Sequence, residues 1–218
     1  MTRHAICALL AALLALGAVA PATAQPDAPT PAAPPRSEAA PPDLPPLGEA
    51  IADWQARWEL ARLLSYVQRY DESLAEYRTL LAQRPELDQA RLEMAKVLFW
   101  AGRPDQARQV FEDLPATSMD RDAVLALADL YASDKQYGRA ETLLRDLLKR
   151  SPDDDEAHYR LAEVLSWAGD YDASLDIYRD LLRTRPDDVQ LRRKYAFVLI
   201  WSGQRDQAIM ELRRSLGE

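Results

Sequence analysis

Two residue types that carry much of protein chemistry are nearly missing from this chain. Its 218 residues hold one cysteine, Cys7, and two histidines, His4 and His158. A single thiol cannot close an intrachain disulfide or build a thiolate zinc site, so stability must come from packing alone. Neither a nucleophile–base pair, a phosphate-binding loop nor a metal-ligand spacing can be assembled from the rest. Positive charge is also short: 27 Lys and Arg stand against 35 Asp and Glu, for a formal net charge of −8. An acidic chain gains no electrostatic help toward nucleic acid or anionic lipid headgroups. The expectation is a non-catalytic protein with no cofactor, no metal and no nucleic-acid partner. His158 falls near a helix start, where a packing role suffices. The acidic run Asp153-Asp154-Asp155-Glu156 invites a calcium reading, but capping and the helix dipole explain acids at a helix N-terminus.

Long hydrophobic runs are missing too, with one exception. Arg3 and His4 precede an apolar stretch from Ala5 to Val19, and Ala22-Thr23-Ala24 follows with small residues before Gln25. That is the three-part layout of a secretory signal, too short to span a bilayer comfortably. Residues 1–24 are therefore read as a signal peptide cut after Ala24, the alternative being a retained anchor. Cys7 lies ahead of most of the apolar run, not at the cleavage point a lipoprotein needs. Removing Arg3 with the signal takes the formal charge from −8 to −9. The expected location is secreted across the inner membrane, in the periplasm. Residues 25–48 are rich in Pro and Ala, with Pro34-Pro35, Pro41-Pro42 and Pro45-Pro46, and read as a disordered, partly polyproline-II tether.

What the chain has in abundance is a repeat. From Glu49 onward a frame of roughly 34 residues recurs five times, and such a period indicates a stacked solenoid. Leu60-Ala61, Met94-Ala95, Leu127-Ala128, Leu161-Ala162 and Tyr195-Ala196 occupy one point in the frame. Ser73, Ala107, Ala140, Ser174 and Ala208 share a second, and Tyr77, Phe111, Leu144, Tyr178 and Leu212 a third. Apolar periodicity predicts helices over 50–66, 71–83, 88–100, 104–113, 120–133, 137–149, 154–167, 171–183, 188–201 and 205–216. Gly102, Gly169 and Gly203 each end the first helix of a pair, and Pro85, Pro152 and Pro186 stop the second. Pro115 arrives about four residues early, so the fourth helix should be short and the Ala116–Met119 linker should bend the stack.

These residues resemble the tetratricopeptide repeat family over about residues 54–216. The fourth unit shows it best, with Leu161-Ala162, Gly169-Asp170-Tyr171, Ser174, Tyr178, Leu181 and Pro186. Small residues at both contact points let paired helices approach closely, and a Leu there would overpack the contact by roughly 1–3 kcal/mol. The early Trp usual in the family is replaced by Arg57, Arg91, Val124, His158 and Arg192. The resemblance implies an all-α, right-handed superhelical solenoid of five helix-turn-helix pairs over residues 49–218. Phe99-Trp100-Ala101-Gly102, Ser166-Trp167-Ala168-Gly169 and Ile200-Trp201-Ser202-Gly203 further resemble the repeats of periplasmic exopolysaccharide-export scaffolds, such as that of cellulose synthase machinery.

In that family the first helix of each pair lines a concave groove. The resemblance places there Trp58, Arg62 and Tyr66; Leu92, Lys96, Phe99 and Trp100; Leu125, Asp129 and Ser133; Tyr159, Glu163, Ser166 and Trp167; and Arg193, Phe197, Ile200 and Trp201. Aromatic and Arg side chains make good anchors, since they bury large areas and keep a polar handle. Trp100, Trp167 and Trp201 share one repeat position and could instead pack between repeats. The mixed charges do not suit the family's carboxylate clamp for chaperone tails. The expected function is an adaptor or scaffold that binds a polypeptide segment of a protein partner, within envelope or exopolysaccharide-export assembly. The alternative is a glycan-binding module that stacks polysaccharide rings on the three tryptophans. Ile209, Leu212 and Leu216 should be partly exposed, open to self-association through the last helix or to a docked partner.

Overall fold

Helix length in this chain is set by where proline and left-handed residues interrupt an apolar period. The computed structural model describes residues 50–217, so the signal peptide and tether expected over 1–48 lie outside the described residues. Ten α-helices follow, with no strand among the described residues. They pair as α1 (Asp53–Tyr66) with α2 (Tyr70–Gln83), α3 (Asp88–Trp100) with α4 (Pro104–Glu112), and α5 (Arg121–Ser133) with α6 (Tyr137–Arg150). The last two pairs are α7 (Asp155–Ala168) with α8 (Tyr171–Thr184) and α9 (Val189–Trp201) with α10 (Arg205–Leu216). Each helix packs mainly on its neighbours in sequence, which makes the molecule a solenoid. No described helix is long and apolar enough to cross a membrane.

Helix starts follow local chemistry. Asp120, Asp154 and Asp188 cap α5, α7 and α9 by accepting the N–H of Ala123, Ala157 and Leu191 at 2.9, 3.1 and 2.9 Å. Each such cap is worth about 1 kcal/mol. α1 begins at Asp53, three residues later than the periodicity predicts. The Gln55 side chain accepts the Ala52 N–H at 3.0 Å, which starts the helix there. α4 is 9 residues long where its counterparts run to 12–14. Pro104 sits in its first turn, and after Glu112 the chain turns through a single 3₁₀ turn, Ala116–Ser118. The shortened α4 makes the sparsest contact of any consecutive helix pair, and α3 reaches past it to α5.

The core is a column of small and large side chains in fixed register. Ala61, Ala95, Ala128, Ala162 and Ala196 are buried to within 1 % of complete exclusion. Opposite them Ser73 and Ser174 are fully buried, and each hydroxyl donates to the carbonyl of the facing alanine, Ala61 or Ala162, at 2.7 Å. A buried hydroxyl is tolerable only with such a partner. Tyr77, Phe111 and Tyr178 fill the next layer, each almost wholly buried, and burial of a side chain like Phe111 stabilises by roughly 2–3 kcal/mol. Buried apolar residues form two clusters, one running from Ala61 to Leu165 and a smaller one from Ala162 to Ala208.

Gly102, Gly169 and Gly203 adopt φ of 68°, 89° and 81° at the ends of first helices. Gln68 and Lys135 hold φ of 61° and 60° at the same repeat point, without being glycine. A left-handed residue with a Cβ costs roughly 1–2 kcal/mol, part of which glycine's extra unfolded-state freedom offsets. Lys135→Gly is therefore expected to stabilise the protein by about 0.5–1 kcal/mol. A Cβ at Gly169 would touch nothing within 4 Å, so Gly169→Ala reports backbone strain alone and should cost about 1 kcal/mol. Urea midpoints with an unchanged m-value measure both, and a destabilised Lys135→Gly would contradict the strain argument.

Candidate functional site

The first helices of the pairs turn a row of polar and aromatic positions toward one face. Most charges in that row are already spent on each other. Arg62 on α1 holds Glu93 on α3 with two bonds, Nε to Oε2 at 2.9 Å and Nη2 to Oε1 at 2.6 Å. The Trp58 indole N–H donates to the same carboxylate at 2.6 Å and the Tyr77 hydroxyl at 3.0 Å. The Arg62 guanidinium lies 4.8 Å from the Trp58 ring centre and also meets Glu59. Burial alone would raise the Glu93 carboxyl. The bonds from Arg62, Trp58 and Tyr77, with the Arg62 charge, outweigh it and hold the group below its ordinary range.

The pattern recurs along the stack. Lys96 pairs with Asp120, the cap of α5. Asp129 on α5 accepts from Arg160 on α7 at 3.0 Å, and Arg160 also meets Glu156 at 2.8 Å. Glu163 on α7 is buried and pairs with Lys194 on α9 at 2.7 Å, while Tyr159 donates to it at 3.2 Å. Arg62–Glu93, Asp129–Arg160 and Glu163–Lys194 are each 31 residues apart. One inward position is thus matched by the opposite charge a turn earlier in the next unit, with the sign reversing along the chain. Asp129 differs from Glu93 in having poorer compensation. Burial pushes its carboxyl up to about 7, against the pull of Arg160 and with help from the charges of Glu163 and Glu156.

The expected groove residues therefore divide. Trp58, Arg62, Lys96 and Glu163 hold one repeat to another, and Tyr159 braces Glu163 within α7. Leu92 and Leu125 are buried in the core and offer no groove surface. Phe99 and Trp100 are half-buried against the larger core cluster, and Tyr66 and Ser133 are exposed. Trp167 also leans on that cluster and Trp201 on the smaller one, so the three Gly-preceding tryptophans all do packing work. His158 Nδ1 faces the Asp154 carbonyl at 3.0 Å, inside the first turn of α7. Within the acidic run, Asp154 caps α7 and holds Arg121 at 2.6 and 2.8 Å, Asp155 meets Arg185 and Glu156 meets Arg160. No group of three or more acidic, His or Cys side chains suited to a metal occurs among the described residues.

The last two units leave an opening. A cavity of about 380 Å³ lies between α7, α8 and α9, lined by Trp167, Tyr178, Gln190, Arg193, Lys194, Phe197, Val198 and Trp201. Its volume falls in the range of small-ligand pockets, and its wall is mostly apolar. Phe197 and Trp201 pack at a ring separation of 6.3 Å, and Phe197 is 49 % exposed. Phe197 occupies the repeat position that Arg62, Lys96, Asp129 and Glu163 fill with charge. Arg193 has no acidic partner among the described residues, whereas every other half-buried Lys or Arg has one. The Tyr178 hydroxyl has no hydrogen-bond partner among them either, although Tyr77 at the same repeat point holds Glu93.

The two best-defined acids give opposite pH behaviour. A carboxyl held low adds stability above its unfolded pKa and loses it as pH falls. Glu93→Gln should thus cost about 2–3 kcal/mol at pH 7 and much less near pH 3, read by urea unfolding at both pH values. A carboxyl held high keeps its proton in the folded state while the unfolded chain has lost it, so stability declines as pH rises from about 4 to 7. Asp129→Asn should abolish that decline. Its Tm relative to the parent should rise by about 2–5 °C between pH 5 and pH 8, and a flat difference would refute the assignment.

With this geometry the comparisons with known proteins agree on one architecture. The tetratricopeptide repeat family model matches residues 67–130 and 131–188, together more than half of the chain. No curated protein sequence matches the chain. A MamA fragment from Desulfovibrio magneticus superposes with a TM-score of 0.69 at 14% identity, covering 77% of this chain and 96% of that one. YrrB, described as a tetratricopeptide repeat protein with an unusual peptide-binding site, gives 0.67 at 19% identity over 76% of this chain and 86% of its own. A tetratricopeptide repeat protein from Parabacteroides merdae gives 0.63 at 19% identity over 76% and 65%. At such identities the likeness concerns the fold, and the sequence match carries the assignment: the chain belongs to the tetratricopeptide repeat family.

Proposed function

We propose that this protein is an exported, non-catalytic scaffold whose concave face binds an extended segment of a protein partner. One observation carries the reading: the charged row of the groove is internally satisfied, while the aromatic cavity at α7–α9 is open. A preformed cavity of this kind suits a side chain inserted from a partner, since no reorganisation cost is paid on binding. The peptide-binding site named for YrrB, a protein of similar fold, is consistent with such a use. The layout of Arg3, the apolar run to Val19 and Ala22-Thr23-Ala24 supports export and a periplasmic site of action. The Trp-Ala/Ser-Gly segments support, more distantly, a place in envelope or polysaccharide-export assembly.

A photo-crosslinking residue at Phe197, irradiated in living cells, tests this. The expected product is a discrete adduct that protease digests, formed on a chain whose mass begins at Gln25. The same residue at Thr79, exposed on α2, should give none. A glycosidase-sensitive smear at Phe197 would replace the peptide reading with a glycan-binding one. An uncut chain retained in the cytosol would remove the export reading.

A further inference from the structure

The cavity at α7–α9 has a chemistry that can be read against the protein's own interior. Between the first two units, a carboxylate is held by three kinds of donor: the Arg62 guanidinium, an indole N–H and the Tyr77 hydroxyl. Between the last two units, Tyr178 stands at the repeat point of Tyr77 and Tyr159, bound to Glu163, at that of Trp58, while Arg193 replaces the buried Leu92 with a guanidinium beside the cavity. There the position of Glu93 is filled by Lys194, which is bound to Glu163. The donors Tyr178 and Arg193 are left with no acceptor among the described residues, beside the apolar wall formed by Trp167, Phe197 and Trp201. A half-buried guanidinium facing an apolar cavity is the complement of a carboxylate brought in with an apolar neighbour.

We propose that this pocket recognises an acidic–hydrophobic motif in a protein partner. One aromatic or aliphatic side chain seats between Trp167, Phe197 and Trp201. The side-chain carboxylate of an Asp or Glu within two residues of it reaches Arg193 and the Tyr178 hydroxyl. The proposal rests on the groove-scaffold reading and gives it a sequence preference. A basic segment is rejected on two counts: Arg193 repels it, and the neighbouring Glu163 is already neutralised by Lys194. The source is a side chain within a segment rather than a chain terminus, because the internal precedent, Glu93, is a side chain presented by continuous backbone.

A random dodecapeptide library fused through its C-termini to phage, and so lacking free C-terminal carboxylates, is panned against the purified full chain. Selected peptides are then titrated by fluorescence anisotropy against the parent, Arg193→Glu, Tyr178→Phe and Phe197→Ala, with circular dichroism melts confirming that each variant folds. The expected result is enrichment of peptides with Asp or Glu within two residues of a large apolar residue. Their binding weakens with added salt and by at least about tenfold in Arg193→Glu, with a smaller loss in Tyr178→Phe. Panning Arg193→Glu itself should enrich basic peptides instead, a gain that misfolding cannot produce. No enrichment, enrichment of neutral or basic peptides on the parent, or acidic peptides indifferent to Arg193→Glu would each overturn the proposal. Peptides whose binding is lost in a Phe99→Ala variant but kept in Arg193→Glu would overturn it while leaving the groove-scaffold reading standing.

Discussion

Everything else in this structure depends on how closely the two helices of a pair approach. Ala61, Ala95, Ala128, Ala162 and Ala196 on one side, and Ser73, Ala107, Ala140, Ser174 and Ala208 on the other, leave almost no side chain between the axes. Backbone contact at that distance brings Tyr77, Phe111, Leu144 and Tyr178 into a continuous layer. It also lets Ser73 and Ser174 reach a carbonyl on the facing helix. A larger residue at either point would push the axes apart and cost roughly 1–3 kcal/mol before any other contact is counted. Stability, helix orientation and the placing of the concave face thus descend from ten small side chains. A chain with no disulfide to lean on has little room to relax them.

The concave face is less generous than its composition suggests. Four links between consecutive units consume most of its charges, and each joins a first helix to the next first helix. Such links resist sliding and set register more than they add net stability, since desolvation offsets much of the attraction. Glu93 and Asp129 mark the two ends of this range. The first is surrounded by donors and stays ionised; the second has one cation it must share with Glu156 and near it a second acid, Glu163. What remains for a partner is the place where the series stops, at Phe197.

Most of the fold was legible in the amino-acid order, because period and punctuation are local. Pro115 announced the short α4, and Gly102, Gly169 and Gly203 announced three helix ends. Gln68 and Lys135 were harder: nothing in either side chain asks for a left-handed backbone, and only their register with those glycines betrays it. The groove was legible as a list of positions and illegible as a surface. Inward direction alone made Arg62 and Lys96 look like free anchors. Their partners sit in the neighbouring unit; a spacing of 31 residues between opposite charges was the available signal for Arg62, whereas Lys96 meets Asp120 only 24 residues on. Arg193 emerges only by elimination, once every other half-buried cation has found an acid.

The two buried clusters, meeting near Ala162, bear on how the last unit behaves. In a stack where each unit touches only its neighbours, cooperativity is no stronger than the joint between them. α9 and α10 are secured through one joint among the described residues, and through the smaller cluster. Within the described residues that is the arrangement expected of a foldon opening at lower free energy than the middle of a stack. The cavity shares two of its walls with that joint, so it vanishes whenever the foldon opens. Anything lodged in it becomes part of the joint and slows amide exchange in α9 and α10. Occupancy and local folding at this end of the molecule are one equilibrium.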